Sequence, residues 1–95
     1  MIELDYTTSK QIRTSTTPHA VDTFQVRGRP TGVVLKLKYR PVLPGLRILY
    51  QMKKREEVSL SEEYYTVDLE RGRVTLNWDF ELDCTFVVEY QYDPG

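Results

Sequence analysis

The feature that most restricts what this chain can fold into is a two-residue rhythm that recurs in short runs along its length. It is clearest in Tyr64–Leu76. There Tyr65, Val67 and Leu69 alternate with Tyr64, Thr66 and Asp68, and Val74 and Leu76 resume the alternation after Glu70-Arg71-Gly72. A spacing of two places one set of side chains on one face of a strand. A glycine that closes a three-residue connection suits a backbone with positive φ. The stretch therefore reads as a β-hairpin. The same rhythm appears in Ile2, Leu4 and Tyr6, and a second strand begins at Phe24–Arg27. It continues in Val33, Leu35, Leu37 and Tyr39 against Lys36, Lys38 and Arg40, and in Leu46, Ile48, Tyr50 and Met52 against Arg47, Gln51 and Lys53. Phe86, Val88, Tyr90 and Tyr92 against Thr85, Val87, Glu89 and Gln91 close the series. Residues 28–32 and 41–45 hold the glycines and prolines of turns. Ser59 or Ser61, followed by Glu62 and Glu63, leaves room for one short helical turn. Six to eight short strands separated by turn signals predict an all-β fold, a small antiparallel β-sandwich or barrel. Alternation of this kind gives each sheet one wet face.

Residues 7–23 break the rhythm. Eight of these seventeen residues are Ser or Thr, and Ile12, Ala20 and Val21 are the only aliphatic ones. So polar a segment cannot bury enough surface to order itself alone. It is expected to be a long surface loop or an extended arm that orders against a neighbour, with Thr14, Thr16, Pro18 and His19 as its contact residues. The organisation expected is then a strand and polar arm over residues 1–23 and a β-sandwich domain over residues 24–95. At 95 residues the chain makes one domain with a modest core.

Charge is unevenly spread although the net formal charge is only −1. Residues 27–55 hold nine basic residues and no acid, whereas residues 56–95 hold eleven acids and only Arg71 and Arg73 as bases. Two arrangements account for this split. Basic strands can lie beside acidic ones, with cross-strand pairs contributing about 0.2–1 kcal/mol each. Alternatively the fold has a basic face, built on Lys36, Lys38, Arg40 and Arg47, and an acidic face, built on Glu70, Glu81, Asp83 and Glu89. Two such faces suit head-to-tail contact between copies. For Arg71 and Arg73, local pairing with Asp68 and Glu70 is expected. Nucleic acid is not an expected partner, because Tyr39 and Tyr50 share the parity of the core residues and the chain as a whole is slightly acidic.

Recognisable reaction chemistry is not written in the chain. The single histidine, His19, lies in the Ser/Thr-rich segment and reads as a solvated residue. The single cysteine, Cys84, reads as a small buried residue and rules out an intrachain disulfide. No Cys/His cluster with zinc spacing and no glycine-rich phosphate loop is present. Asp79, Glu81 and Asp83 share one face of an extended segment, but no glycine turn follows to wrap a cation, so they read as a solvated acidic face. No enzyme and no cofactor are expected. No apolar run approaches the length of roughly 18 residues that spans a membrane, and Met-Ile-Glu-Leu-Asp lacks the character of a signal peptide, so no membrane association is expected and a cytosol-like compartment is.

Residues 42–92 add a family resemblance. The run Leu43-Pro44-Gly45-Leu46-Arg47-Ile48-Leu49-Tyr50, then Tyr64–Leu76, then Phe86–Tyr92 is similar to a module common in structural proteins of tailed bacteriophages. In that module a strand after Pro-Gly is followed by Tyr-Thr-Val-Asp, a glycine turn, Val-Thr-Leu and a final strand rich in Val and Tyr. The resemblance implies a virion component, such as a capsid-decoration, neck or tail protein, assembled in the host cytoplasm. Its partners would be copies of itself and other virion proteins such as capsid or tail proteins. A different expectation is a β-sandwich binding module for carbohydrate, which would need Trp78, Tyr64 and Tyr92 as an exposed aromatic platform.

Overall fold

The computed structural model describes residues 2–13, 18–27, 32–52, 55–77 and 83–93. Among them the strands are β1 (Ile2–Asp5), β2 (Thr8–Arg13), β3 (Pro18–Val26), β4 (Val33–Lys36), β5 (Pro41–Met52), β6 (Val58–Ser59), β7 (Tyr65–Asp68), β8 (Arg73–Leu76) and β9 (Cys84–Tyr92). They form two sheets, one in the order β1-β4-β8-β7 and the other in the order β2-β3-β9-β5-β6. The fold is a small β-sandwich. Every ladder is antiparallel except that of β1 with β4, which is parallel. The expected helical turn is a single 3₁₀ turn at Glu62–Tyr64, preceded by Ser61.

The two-residue rhythm explains the core. In β9 the side chains of Phe86, Val88, Tyr90 and Tyr92 are buried while those between them are half-exposed. Register carries this parity across the sheet, since Phe24 lies opposite Phe86 and Asp22 opposite Val88, while Ile48 meets Val88 from the other side. The four-stranded sheet supplies the facing layer through Val33, Leu35, Val74 and Leu76, with Leu4, Tyr65 and Val67 packed against it. Full burial of a side chain such as Phe24 or Ile48 contributes about 1.5–3 kcal/mol. A slip of one residue in β9 would turn this whole set toward water, which is why the register is firm.

Three features differ from expectation. First, residues 41–45 open β5 rather than forming a turn, and the register shifts between Val42 and Arg47. The two prolines, Pro41 and Pro44, are accommodated because β6 covers β5 only at Leu49 and Tyr50, so that edge of β5 needs few N–H donors there. Second, the hairpin turn is four residues long, Leu69–Gly72, with Leu69 exposed. Gly72 has φ of 65°, as the turn requires, and an added Cβ would stand 3.1 Å from the Tyr39 carbonyl oxygen. Third, the segment expected as a polar arm is largely paired within its own chain. β2 pairs with β3 from Thr8↔Thr23 to Arg13↔Pro18, and β3 runs without a break through residues 23 and 24. The ladder with β3 pairs one side of β2, and within residues 18–23 the inward positions need little apolar volume because they hold Ala20 and a hydrogen-bonded Asp22. Pro18 and His19 stand at the start of β3, half-buried. Thr14 and Thr16 lie outside the described residues.

Candidate functional site

Asp22 is the one polar or charged residue wholly buried among the described residues, with 0% of its surface exposed. β3 aims it into the sandwich at the point where the chain crosses from β4 to β5. Its carboxylate accepts hydrogen bonds from the Tyr90 hydroxyl at 2.6 Å, from the Lys38 backbone N–H at 2.9 Å and from the Ser9 hydroxyl. The Tyr90 hydroxyl in turn accepts from the Tyr39 backbone N–H at 3.2 Å. Lys38 and Tyr39 lie between β4 and β5 and have no ladder, and these side chains take their N–H donors, while the Leu37 N–H donates to the Gly72 carbonyl. Burial first, and the bond to Asp22 second, push the Tyr90 phenol far above the usual tyrosine range, so it stays a donor at any ordinary pH. Tyr39 stacks on Tyr92 with centroids 4.1 Å apart, and the Gln11 side-chain amide donates to its hydroxyl. The Lys38 ammonium lies 5.4 Å from the Tyr39 ring centroid, and the Tyr39 phenol raises its pKa. This cluster ties three strands and a crossover together.

Several charged residues on the sheet surfaces pair within the chain. Lys36 faces Asp5 across β1 and β4, with Nζ 3.3 Å from the carboxylate. In the same register Lys36 lies beside Arg73, and Arg73 beside Asp68, so two bases are flanked by two acids. Arg71 reaches Asp68 within the turn, at 4.0 Å. Arg47 reaches Glu89 at 3.4 Å across β5 and β9. Arg47 and Glu89, expected on separate faces that meet between copies, are neighbours on one face and pair with each other. Direct register on adjacent strands explains this, because Arg47 and Glu89 lie opposite each other and so point to the same side of the sheet. Lys38, Arg40 and Glu70 are exposed, as is Asp83, whose φ is 60°. Glu81 lies outside the described residues, as do Asp79 and Trp78. Tyr92 is 96% withdrawn from solvent, being only 4% exposed, so it cannot serve the expected aromatic platform; Tyr64 is exposed. Tyr50 leans on Phe86 rather than facing outward as a base-stacking residue would.

His19 lines a shallow depression of about 310 Å³ with Ile12, Val21, Gly45 and Glu89 on the outer face of the five-stranded sheet. Among the described residues no group of three or more His, Cys, Asp or Glu is placed to hold a metal ion, and no helix is long and apolar enough to cross a membrane.

The apolar surface is more telling than these polar groups. Among the described residues the large hydrophobic side chains left exposed are Ile2, Tyr6, Ile12, Leu43, Val58, Tyr64 and Leu69. Ile2 and Ile12 stand on the edge strands β1 and β2, with Tyr6 in the link between them. Val58, Tyr64 and Leu69 stand on or beside the edge strands β6 and β7, and Leu43 lies in the uncovered stretch of β5 next to β6. Alternation groups Tyr6 with Ile2 and Leu4, and Leu69 with Tyr65 and Val67. Alternation identifies a face but not a strand's rank in the sheet, so edge exposure was not readable from it. Compared with family models, with curated proteins and with solved structures, the chain matches none.

Proposed function

We propose that this chain acts by assembly, as a structural component of a tailed-phage virion such as a capsid-decoration, neck or tail protein. It associates with copies of itself and with capsid or tail proteins, and it carries out no reaction. The observation that supports assembly is the placement of exposed apolar side chains at both lateral edges of the sandwich. Solitary domains guard their sheet edges with charge, proline or bulges, and a large apolar residue on an uncovered edge favours a partner. The phage assignment rests on the resemblance of residues 42–92, whose described residues include β6 to β9 and most of β5. Ion pairing of Lys36, Arg47 and Glu89 within the chain shifts the expected contact from the flat faces to the edges. Size-exclusion chromatography with light scattering, at low and high salt and over a wide concentration range, tests the reading. Masses above the monomer are expected, and a monomer under every condition would count against self-assembly.

A further inference from the structure

We infer that copies of this chain join head to tail, with the β2 edge of one copy lying along the β7 edge of the next. The inference rests on the assembly reading above and names its contact.

The two edges lie on opposite sides of the molecule. β1 passes into β2 through Tyr6 and Thr7, so these two edge strands share one side. β6 passes through the 3₁₀ turn into β7, so the other two edge strands share the opposite side. A patch on one side that fits a patch on the other makes a heterologous contact, which propagates into a ring or a filament.

Charge selects which strands meet. The sequence of β2, Thr-Ser-Lys-Gln-Ile-Arg, holds two basic residues and no acid, whereas β1 holds Glu3 and Asp5. The opposite side is acidic ahead of β7: residues 56–65 hold Glu56, Glu57, Glu62 and Glu63 and no base, while Asp68 within β7 is paired with Arg71. A basic strand edge thus has an acidic strand edge to meet, while β1 would be repelled from it. β7 is also the longer acceptor, since β6 has only two residues.

Parity fits as well. Ser9 and Gln11 turn inward to Asp22 and Tyr39, so Lys10 and Ile12 turn outward. In β7 the half-buried Tyr65 and Val67 turn inward, so Thr66 and Asp68 turn outward, with Tyr64 in step just before them. Strand addition with Ile12 beside Tyr64 would set Lys10, two residues before it, beside Glu62, two residues before Tyr64, basic against acidic. A lysine on an edge strand often guards against pairing. Here it adjoins an isoleucine that is 49% exposed, and the opposite edge carries Val58 at 49% and Tyr64 at 38%.

The test is sedimentation velocity on the full chain and two exposed-surface variants, Lys10→Glu and the double variant Glu62→Lys/Glu63→Lys. Each variant alone sets like charge against like charge and is expected to weaken association by about tenfold or more. Mixed, they present both complementary contacts again, so the wild-type mass is expected to return on mixing. That return also proves that both variants are folded. If the wild-type chain assembles and both variants assemble as it does, the β2–β7 contact is overturned while the assembly reading stands. Variants that lose assembly and do not regain it on mixing also overturn the contact. A wild-type chain that stays monomeric overturns the assembly reading and this contact with it.

Discussion

Two carboxylates in the five-stranded sheet sit almost side by side and do different work. Asp22 lies opposite Val88 and Glu89 lies opposite Val21, so they are adjacent steps of the same β3–β9 ladder. Asp22 turns inward, is wholly buried and accepts three hydrogen bonds. Glu89 turns outward and meets Arg47, with side chains 40% and 59% exposed. A buried carboxylate must be fully satisfied, because each donor it leaves behind keeps its own desolvation penalty. An exposed ion pair exchanges water for a partner at little gain. Desolvation, rather than charge, decides which of the two contacts the fold depends on.

Removing the inner acceptor is the largest expected effect. Asp22→Ala strands the Tyr90 hydroxyl and the Lys38 N–H at a crossover that has no ladder, at about 1–3 kcal/mol for each donor. For a domain of this size about 3 kcal/mol lowers the melting temperature by more than roughly 10 °C. Thermal unfolding followed by circular dichroism measures it, and a change below about 1 kcal/mol would erase the contrast between the two carboxylates.

Tyr90→Phe comes next, at about 1–3 kcal/mol, since Asp22 keeps two of its three donors. It also carries a pH signature. A phenol whose pKa is raised by folding holds its proton more tightly in the native state than in the unfolded chain, where it ionises near 10. Above that pH the unfolded state binds fewer protons, so stability is intact below about pH 10 and falls as the pH rises through and beyond it. The slope is about 1.4 kcal/mol per pH unit for one such tyrosine. Tyr65 is raised as well, by burial and then by Glu62, and adds to the loss. Denaturant unfolding between pH 8 and 11 is expected to show a shallower alkaline decline in Tyr90→Phe than in the wild type. An equally steep decline would remove Tyr90 from the account.

Both carboxylates were present in the sequence, but only the outer one drew notice there. Alternation assigned the inward sets of β4, β8 and β9 correctly, because each strand holds large apolar residues at every second position. It failed in residues 18–23, where the inward residues are Ala20 and Asp22 and so carry no apolar signal. A buried Asp is legible only with its donors, and these come from Ser9, Lys38 and Tyr90, which are brought together by three separate crossings of the chain. The charge split was legible as composition, yet the ion pairs it produces depend on strand order. Once β5 is known to lie beside β9, Arg47 and Glu89 become neighbours. Edge position is likewise a property of the sheet and not of the strand, which is why the exposure of Ile2 on β1 is not readable from its alternation with Leu4.

The smallest expected effect tests the outer carboxylate directly. A double-mutant cycle with Arg47→Ala, Glu89→Ala and both together isolates the pair from what each residue does elsewhere. Exposed pairs of this kind couple by about 0.2–1 kcal/mol, and salt screens them. Here the pair lies across two strands at direct register, but more than a third of each side chain faces water, which places the coupling toward the lower end of that range. Urea unfolding of the four proteins at low and at high salt gives the coupling and its screening. A coupling above about 2 kcal/mol that persists in high salt would mean that this outward face is dry in the folded protein, as it would be if another subunit covered it. The contrast with Asp22 would then lie between two buried carboxylates, one enclosed by the chain itself and one enclosed by its assembly.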